Sequence, residues 1–121
     1  MNRKILIIDD EFDICDLIKD CLDDKGYTVF TATDAKEGLE IFAVENPHLV
    51  LLDILLPGIG GLECLRRIKE QSPETIVVIL SGMKDEGTAK EAIRRGAYDY
   101  VTKPFDLSHF ENEILSRIFP Q

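Results

Sequence analysis

Four short runs in the chain each end in residues that can do chemistry. Ile5-Leu6-Ile7-Ile8 runs into Asp9-Asp10, Leu49 to Leu52 into Asp53, Ile76 to Leu80 into Ser81-Gly82, and Tyr98 to Thr102 into Lys103-Pro104. Carboxylates crowded together are costly unless a cation neutralises them. An oxygen-only donor set, without Cys or His, suits Mg²⁺ better than zinc. Mg²⁺ retains several waters and commonly meets phosphate oxygens. Lys103 would offer one phosphoryl oxygen a positive charge, and Ser81 would offer another a hydrogen bond. Asp53 follows four apolar residues, so it is held rigidly enough to act as a carboxylate nucleophile. Mg²⁺ and Lys103 would then offset the charge that develops on a transferring group.

These residues converge only if the intervening chain brings the four ends together. The hydrophobic period switches repeatedly along the sequence. Ile5 to Ile8, Leu49 to Leu52 and Ile76 to Leu80 are continuous apolar runs, as in strands buried on both faces. Tyr27 to Ala32 and Tyr98 to Thr102 are mixed, less buried strands. Between the strands, Ile14, Leu17, Ile18, Cys21 and Leu22 mark one helical stripe ending near Gly26. Asp34 is the expected N-cap of a second helix with Ala35, Leu39, Phe42 and Ala43 inward, stopped by Asn46-Pro47. Leu62, Leu65 and Ile68 mark a third helix. A fourth runs from about Asp85 to Arg95, with Gly96 as its stop, and Leu107, Phe110, Ile114, Leu115 and Ile118 mark a fifth.

Strict strand–helix alternation predicts an α/β fold, a five-stranded parallel sheet doubly wound into three layers. Placing the three apolar strands centrally, with right-handed crossovers, gives the flavodoxin-like order 2-1-3-4-5. In such sheets ligands bind beyond the carboxyl ends of the strands, which is where Asp9, Asp10, Asp53, Ser81 and Lys103 fall.

Composition narrows the function further. The chain has 121 residues, room for one core, so residues 1–121 are expected to form a single domain. Its 23 acidic and 14 basic side chains leave a charge of −9, which disfavours nucleic-acid backbones and anionic membranes. The N-terminal apolar stretch is cut short by Asp9. A secretory signal needs an apolar region of roughly 7–15 residues and a membrane span roughly 18 or more. The expectation is a soluble, cytoplasmic protein. Cys15, Cys21 and Cys64 have no metal-ligand spacing and are read as reduced and mostly packed.

Asp9-Asp10, the LVLLDILLPG segment around Asp53, ILSG ending at Ser81-Gly82, and YVTKPF around Lys103, in this order and spacing, resemble the receiver domain of two-component response regulators. The resemblance runs from Lys4 to about Ile118. It implies Asp53 as phosphoacceptor and Asp9 and Asp10, with the backbone carbonyl of Leu55, as further Mg²⁺ ligands beside Asp53. It implies that Ser81, Gly82 and Lys103 bind the phosphoryl group, and that Ser81 moves onto it while Tyr100 turns inward. It also implies a cis Lys103-Pro104 peptide. The implied donor is a phosphohistidine on a sensor histidine kinase or histidine phosphotransfer protein. The implied outputs are an effector domain or a homodimer through helix four, strand five and helix five, where Ala89, Ile93, Tyr98 and Phe105 are candidate contacts. A receiver of this kind can stand alone or be part of a longer regulator.

Two departures from the family pattern matter. Gly60 stands where an acidic residue is common, so the third helix should start without a capping side chain. Leu55 and Met83 are apolar at positions that influence water access to the phosphoryl group. Self-dephosphorylation should therefore be slower than in a variant with Asn at 55 and Glu at 83.

Plainer readings exist for each residue. Asp9 or Asp10 could simply cap the first helix, Asp53 and Ser81 could be turn residues, Lys103 a surface lysine, and Tyr100 an edge-strand cover. His48 and His109 lie far in sequence from the cluster and are assigned no chemistry. The glycines form no dinucleotide fingerprint, and acidic strand ends would repel a flavin phosphate. Two rival functions remain: a constitutive interaction module that signals without phosphorylation, and a Mg²⁺-dependent phosphatase using an Asp nucleophile.

Overall fold

In the computed structural model, residues 3–120 are described, except for the side chain of Met83. Thus Gln121 and the Met83 side chain lie outside the described residues. The strands are β1 (Lys4–Ile8), β2 (Thr28–Ala32), β3 (Leu49–Asp53), β4 (Ile76–Ser81) and β5 (Asp99–Thr102), all parallel and ordered β2-β1-β3-β4-β5. The helices are α1 (Phe12–Asp24), α2 (Ala35–Glu45), α3 (Gly60–Gln71) and α4 (Glu86–Arg94), the last preceded by a 3₁₀ turn over Met83–Asp85. The C-terminal helix, α5, passes through Leu107–His109, a π-helical stretch Phe110–Leu115 and Ser116–Ile118.

The expected fold class and strand order are those observed. Continuous apolar strands follow from having a helical layer on each face. Side chains alternate across the sheet, so Leu6, Ile8, Val50, Leu52, Val77 and Ile79 face one core with α2, α3 and α4. Ile5, Ile7, Leu49, Leu51, Val78 and Leu80 face the other core with α1 and α5. Asp34 caps α2 as expected, its Oδ1 accepting the Glu37 amide N–H at 2.8 Å.

Several inward assignments need correction. Leu17 is exposed because α1 turns Cys15, Ile18 and Leu22 into the core instead. Ala43 is exposed too. In α2 the buried positions are Ala35, Gly38 and Phe42, and Ala43 lines a surface groove with Leu39, Pro57 and Ile59. Ala89 is fully buried on the inner face of α4, so it does not offer the partner contact expected of it, whereas Phe105 is half-buried against Phe110. Ile93 and Tyr98 are exposed as anticipated.

In α5 the i→i+5 bonding widens the turn, so residues four or five apart share a face. Phe110, Ile114, Leu115 and Phe119 are accordingly all buried, whereas Ile118 is only half-buried. Phe119, which the sequence pattern did not include, packs against Tyr27 at 5.5 Å between ring centroids and lies beneath the Arg3 guanidinium.

Candidate functional site

The carboxyl ends of β1, β3, β4 and β5 meet at one edge of the sheet, and the registers make the meeting specific. Asp53 is paired with Leu80 and Ser81 with Thr102, while the Lys103 amide N–H donates to the Ser81 carbonyl at 2.7 Å. Asp9, one residue past β1, is fully buried, and its amide N–H donates to the Ala32 carbonyl at 3.0 Å. The peptide before Pro104 is cis, as expected.

Asp9, Asp10 and Asp53 present carboxylate oxygens that lie within 4.8 Å of one another. Each buried carboxylate divides its two oxygens between backbone and charge. Asp9 Oδ1 accepts the Glu11 amide N–H at 2.9 Å, while Asp9 Oδ2 lies 2.8 Å from Lys103 Nζ, without hydrogen-bond alignment. Asp53 Oδ1 accepts the Leu55 amide N–H at 3.1 Å, and Asp53 Oδ2 lies 3.4 Å from Lys103 Nζ. Contrary to the plainer reading, Asp9 therefore does not cap α1; one of its oxygens binds the amide just ahead of the helix. The N-cap itself is Glu11, and it makes no side-chain cap bond.

Electrostatics match this geometry. Burial pushes the Asp53 carboxyl up to about 6, the Leu55 amide pulls it down, the Asp9 charge raises it and Lys103 lowers it. Burial alone would depress the Lys103 ammonium, but Asp9 and Glu11 outweigh it and hold the pKa above that of an ordinary lysine. One lysine therefore faces three carboxylates, Asp9, Glu11 and Asp53, and cannot neutralise them all. Three hard oxygen donors, one of them a poorly satisfied buried oxygen, fit a divalent cation such as Mg²⁺.

Ser81 is buried, and its hydroxyl has no hydrogen-bond partner among the described residues. A buried hydroxyl left unpaired usually awaits a ligand, a water or a movement. Tyr100, in β5 opposite Ile79 of β4, is half-buried and packs against the core that α4 covers. The Leu55 side chain is 60% exposed, whereas its N–H is bound to Asp53.

The loop from β3 to α3 depends on glycines. Gly58 and Gly60 have φ of +82° and +81°, and α3 begins without a side-chain cap, as expected from Gly60. A Cβ on Gly61 would stand 2.6 Å from Ile54 Cα and 2.7 Å from the Asp53 carbonyl oxygen, so only glycine lets α3 seat directly behind Asp53.

Sequence reasoning identified the residues brought together here, with two omissions. Glu11 was missed, although it extends the acidic run Asp9-Asp10-Glu11, because its contact with Lys103 spans 92 positions. Gly61 was given no role at the site, since nothing in the sequence reveals the approach of Ile54. His48, whose Nδ1 accepts the Lys4 amide N–H at 3.2 Å, belongs to the opposite end of the sheet.

A doubly wound parallel sheet with this strand order, with an acidic cluster at its carboxyl edge that could hold a metal ion, defines a flavodoxin-like α/β domain. Within that class the chain belongs to the response regulator receiver domain family, whose sequence profile matches residues 5–115. It is 47% identical over 108 residues to the nitrogen assimilation regulatory protein NtrX of Azorhizobium caulinodans, covering 88% of this chain and 24% of that protein. It is 34% identical to sporulation initiation phosphotransferase F of Bacillus subtilis, covering 94% of this chain and 92% of that protein. Its structure matches the receiver domain of NtrX from Brucella abortus with a TM-score of 0.88 at 44% identity, over 94% of this chain and 96% of that one. The chain spans 24% to 54% of the length of the three first curated relatives it matches. Among the described residues no helix is long and apolar enough to cross a membrane.

Proposed function

We propose that this receiver domain takes a phosphoryl group from a phosphohistidine onto Asp53, with Mg²⁺ held by Asp9, Asp10, Asp53 and the Leu55 carbonyl. The observation that carries the reading is the position of Asp53: buried at the end of a central strand, beside Asp9 and Asp10, and 3.4 Å from Lys103. When bound, Mg²⁺ would neutralise the carboxylates and the developing phosphoryl charge. The chain's own residues do the rest. An Asp53 oxygen forms the new bond to phosphorus as the phosphorus–nitrogen bond breaks, and that electron pair leaves with the donor imidazole. Lys103 and the Gly82 backbone receive phosphoryl oxygens, and the unpaired Ser81 hydroxyl supplies a further donor.

The output is a population shift. Phosphoryl oxygens favour the conformer in which Ser81 moves onto them and Tyr100 fills the space behind it, which reshapes α4, β5 and α5. Exposed Ile93 and Tyr98 lie on that face and would meet an effector domain or a second copy. The partner upstream is a sensor histidine kinase or histidine phosphotransfer protein, whose phosphohistidine places this chain in the cytoplasm. Residues 1–121 act as one receiver unit, alone or within a longer regulator, with no turnover beyond its own phosphorylation and slow self-dephosphorylation. With a charge of −9 the domain itself binds neither membrane nor nucleic acid directly.

Transfer of labelled phosphoryl from an autophosphorylated histidine kinase tests the reading. Label should appear on this chain, need Mg²⁺, be lost in mild alkali and be absent from Asp53→Asn. Label that persists in Asp53→Asn would overturn it.

A further inference from the structure

We propose that Glu11 is a positioning residue that holds the Lys103 ammonium toward Asp9 and competes with the phosphoryl group for it. This rests on the phosphoacceptor reading and adds a residue that sets how tightly the site takes the phosphoryl group.

An ammonium has three N–H donors. Lys103 Nζ lies 2.8 Å from both Asp9 Oδ2 and Glu11 Oε1, and 3.4 Å from Asp53 Oδ2, which is longer than a good hydrogen bond. The lysine therefore leans away from the acceptor carboxylate, and Glu11 is one of the two groups drawing it there.

Glu11 sits at the N-cap position of α1, where a side chain commonly accepts a hydrogen bond from the first turn. Its carboxylate makes no such bond and reaches Lys103 instead. The two partners also differ in how readily they can release the lysine. The Asp9 side chain is wholly buried and tied to the Glu11 amide, whereas the Glu11 side chain is 58% exposed. An exposed ion pair is weak and is screened by salt, so Glu11 is the partner that yields when a phosphoryl oxygen arrives.

Beryllofluoride, a tetrahedral phosphoryl mimic that bonds a carboxylate oxygen, is the probe. Its affinity is measured at saturating Mg²⁺ for the wild type, Glu11→Gln, Glu11→Asp and Asp53→Asn. Glu11→Gln keeps the shape and removes the charge, so it should bind beryllofluoride roughly two- to fivefold more tightly at low salt. That gain should close toward about unity near 1 M KCl, where the wild-type pair is screened. Glu11→Asp keeps the charge and should return the affinity toward that of the wild type. The ¹⁵N resonance of Lys103 Nζ in the beryllofluoride-free protein should move in Glu11→Gln. Unchanged or weaker binding by Glu11→Gln, an equal gain in Glu11→Asp, or an unmoved resonance would overturn the role of Glu11. Failure of the wild type to bind beryllofluoride in an Asp53-dependent way would overturn the phosphoacceptor reading itself.

Discussion

Lys103 Nζ stands 3.4 Å from Asp53 Oδ2, a contact between residues 50 positions apart. It exists because β3 and β5, one strand removed from each other, end at the same edge of the sheet. The lysine is the cation that makes a buried acidic cluster tolerable without metal. Removing it from a buried arrangement leaves unpaired charge, which is strongly destabilising. Lys103→Ala should therefore lower unfolding stability in EDTA by about 2–4 kcal/mol. Urea titration should show Mg²⁺ restoring more stability to this variant than it adds to the wild type. An equal Mg²⁺ gain in both proteins would contradict that role.

The Asp53 carboxyl, pushed up to about 6 from 3.8 chiefly by burial, sets a pH signature. A folded pKa above the unfolded one favours the fold below the unfolded value. That contribution is lost as pH rises through about 6. Asp53→Asn stays neutral, so in EDTA at pH 7.5 it should be more stable than the wild type. The gain should be about 1–2 kcal/mol after allowing for partial solvent screening, and it should disappear near pH 4. Unfolding titrations across that range check it, and a pH-independent offset would count against it.

Mg²⁺ should narrow that difference, since it favours the charged carboxylates. At ten times its dissociation constant a cation adds about 1.4 kcal/mol. Thermal unfolding should rise with Mg²⁺ in the wild type and stay flat in Asp9→Asn and Asp53→Asn. Equal rises in all three would place the cation elsewhere.

The strand ends were legible because a strand buried on both faces must be apolar, so a charged residue closing such a run stands out. Asp9 and Asp53 were found in this way, Lys103 stood at the end of a mixed strand, and the family resemblance gave Ser81 and Tyr100 their roles. Contacts across the sheet left no comparable trace. Glu11 reads as one more acidic residue until β1 and β5 are brought together, and Phe119 falls outside a 3.6-residue stripe because α5 widens into a π-helix. Likewise, Leu17 and Ala43 fit a helical stripe but lie at its margin, where exposure depends on how the helix is rotated against its neighbours.

Gly61 illustrates a constraint visible only in three dimensions. An added methyl would meet the backbone of Ile54 and Asp53, which cannot move aside as a side-chain tip can. Gly61→Ala should cost about 1–3 kcal/mol in urea unfolding and weaken Mg²⁺ binding, because the displaced loop carries Asp53 and Leu55. Gly87, where an added Cβ meets nothing within 4 Å, provides the control, and Gly87→Ala should leave Mg²⁺ binding unchanged. Equal effects in both variants would refute the close-approach argument.

Leu55 is exposed, and its backbone N–H is bound to the Asp53 carboxylate, so an apolar side chain stands two residues from the acceptor. Phosphoryl loss from the native protein should be several-fold slower than from a variant with Leu55→Asn and Met83→Glu, followed by decay of labelled protein. Faster loss from the native protein would sink the idea.

The central claim is that Asp53 carries the phosphoryl group, and intact mass tests it most directly. The protein is incubated with a small acyl-phosphate donor or its phosphorylated kinase, with and without Mg²⁺, then reduced with borohydride to mark the acylated residue. The account predicts one phosphoryl adduct, dependent on Mg²⁺, with the reduction product at position 53 and neither signal in Asp53→Asn. No adduct from either donor, or an adduct on another residue, would contradict it.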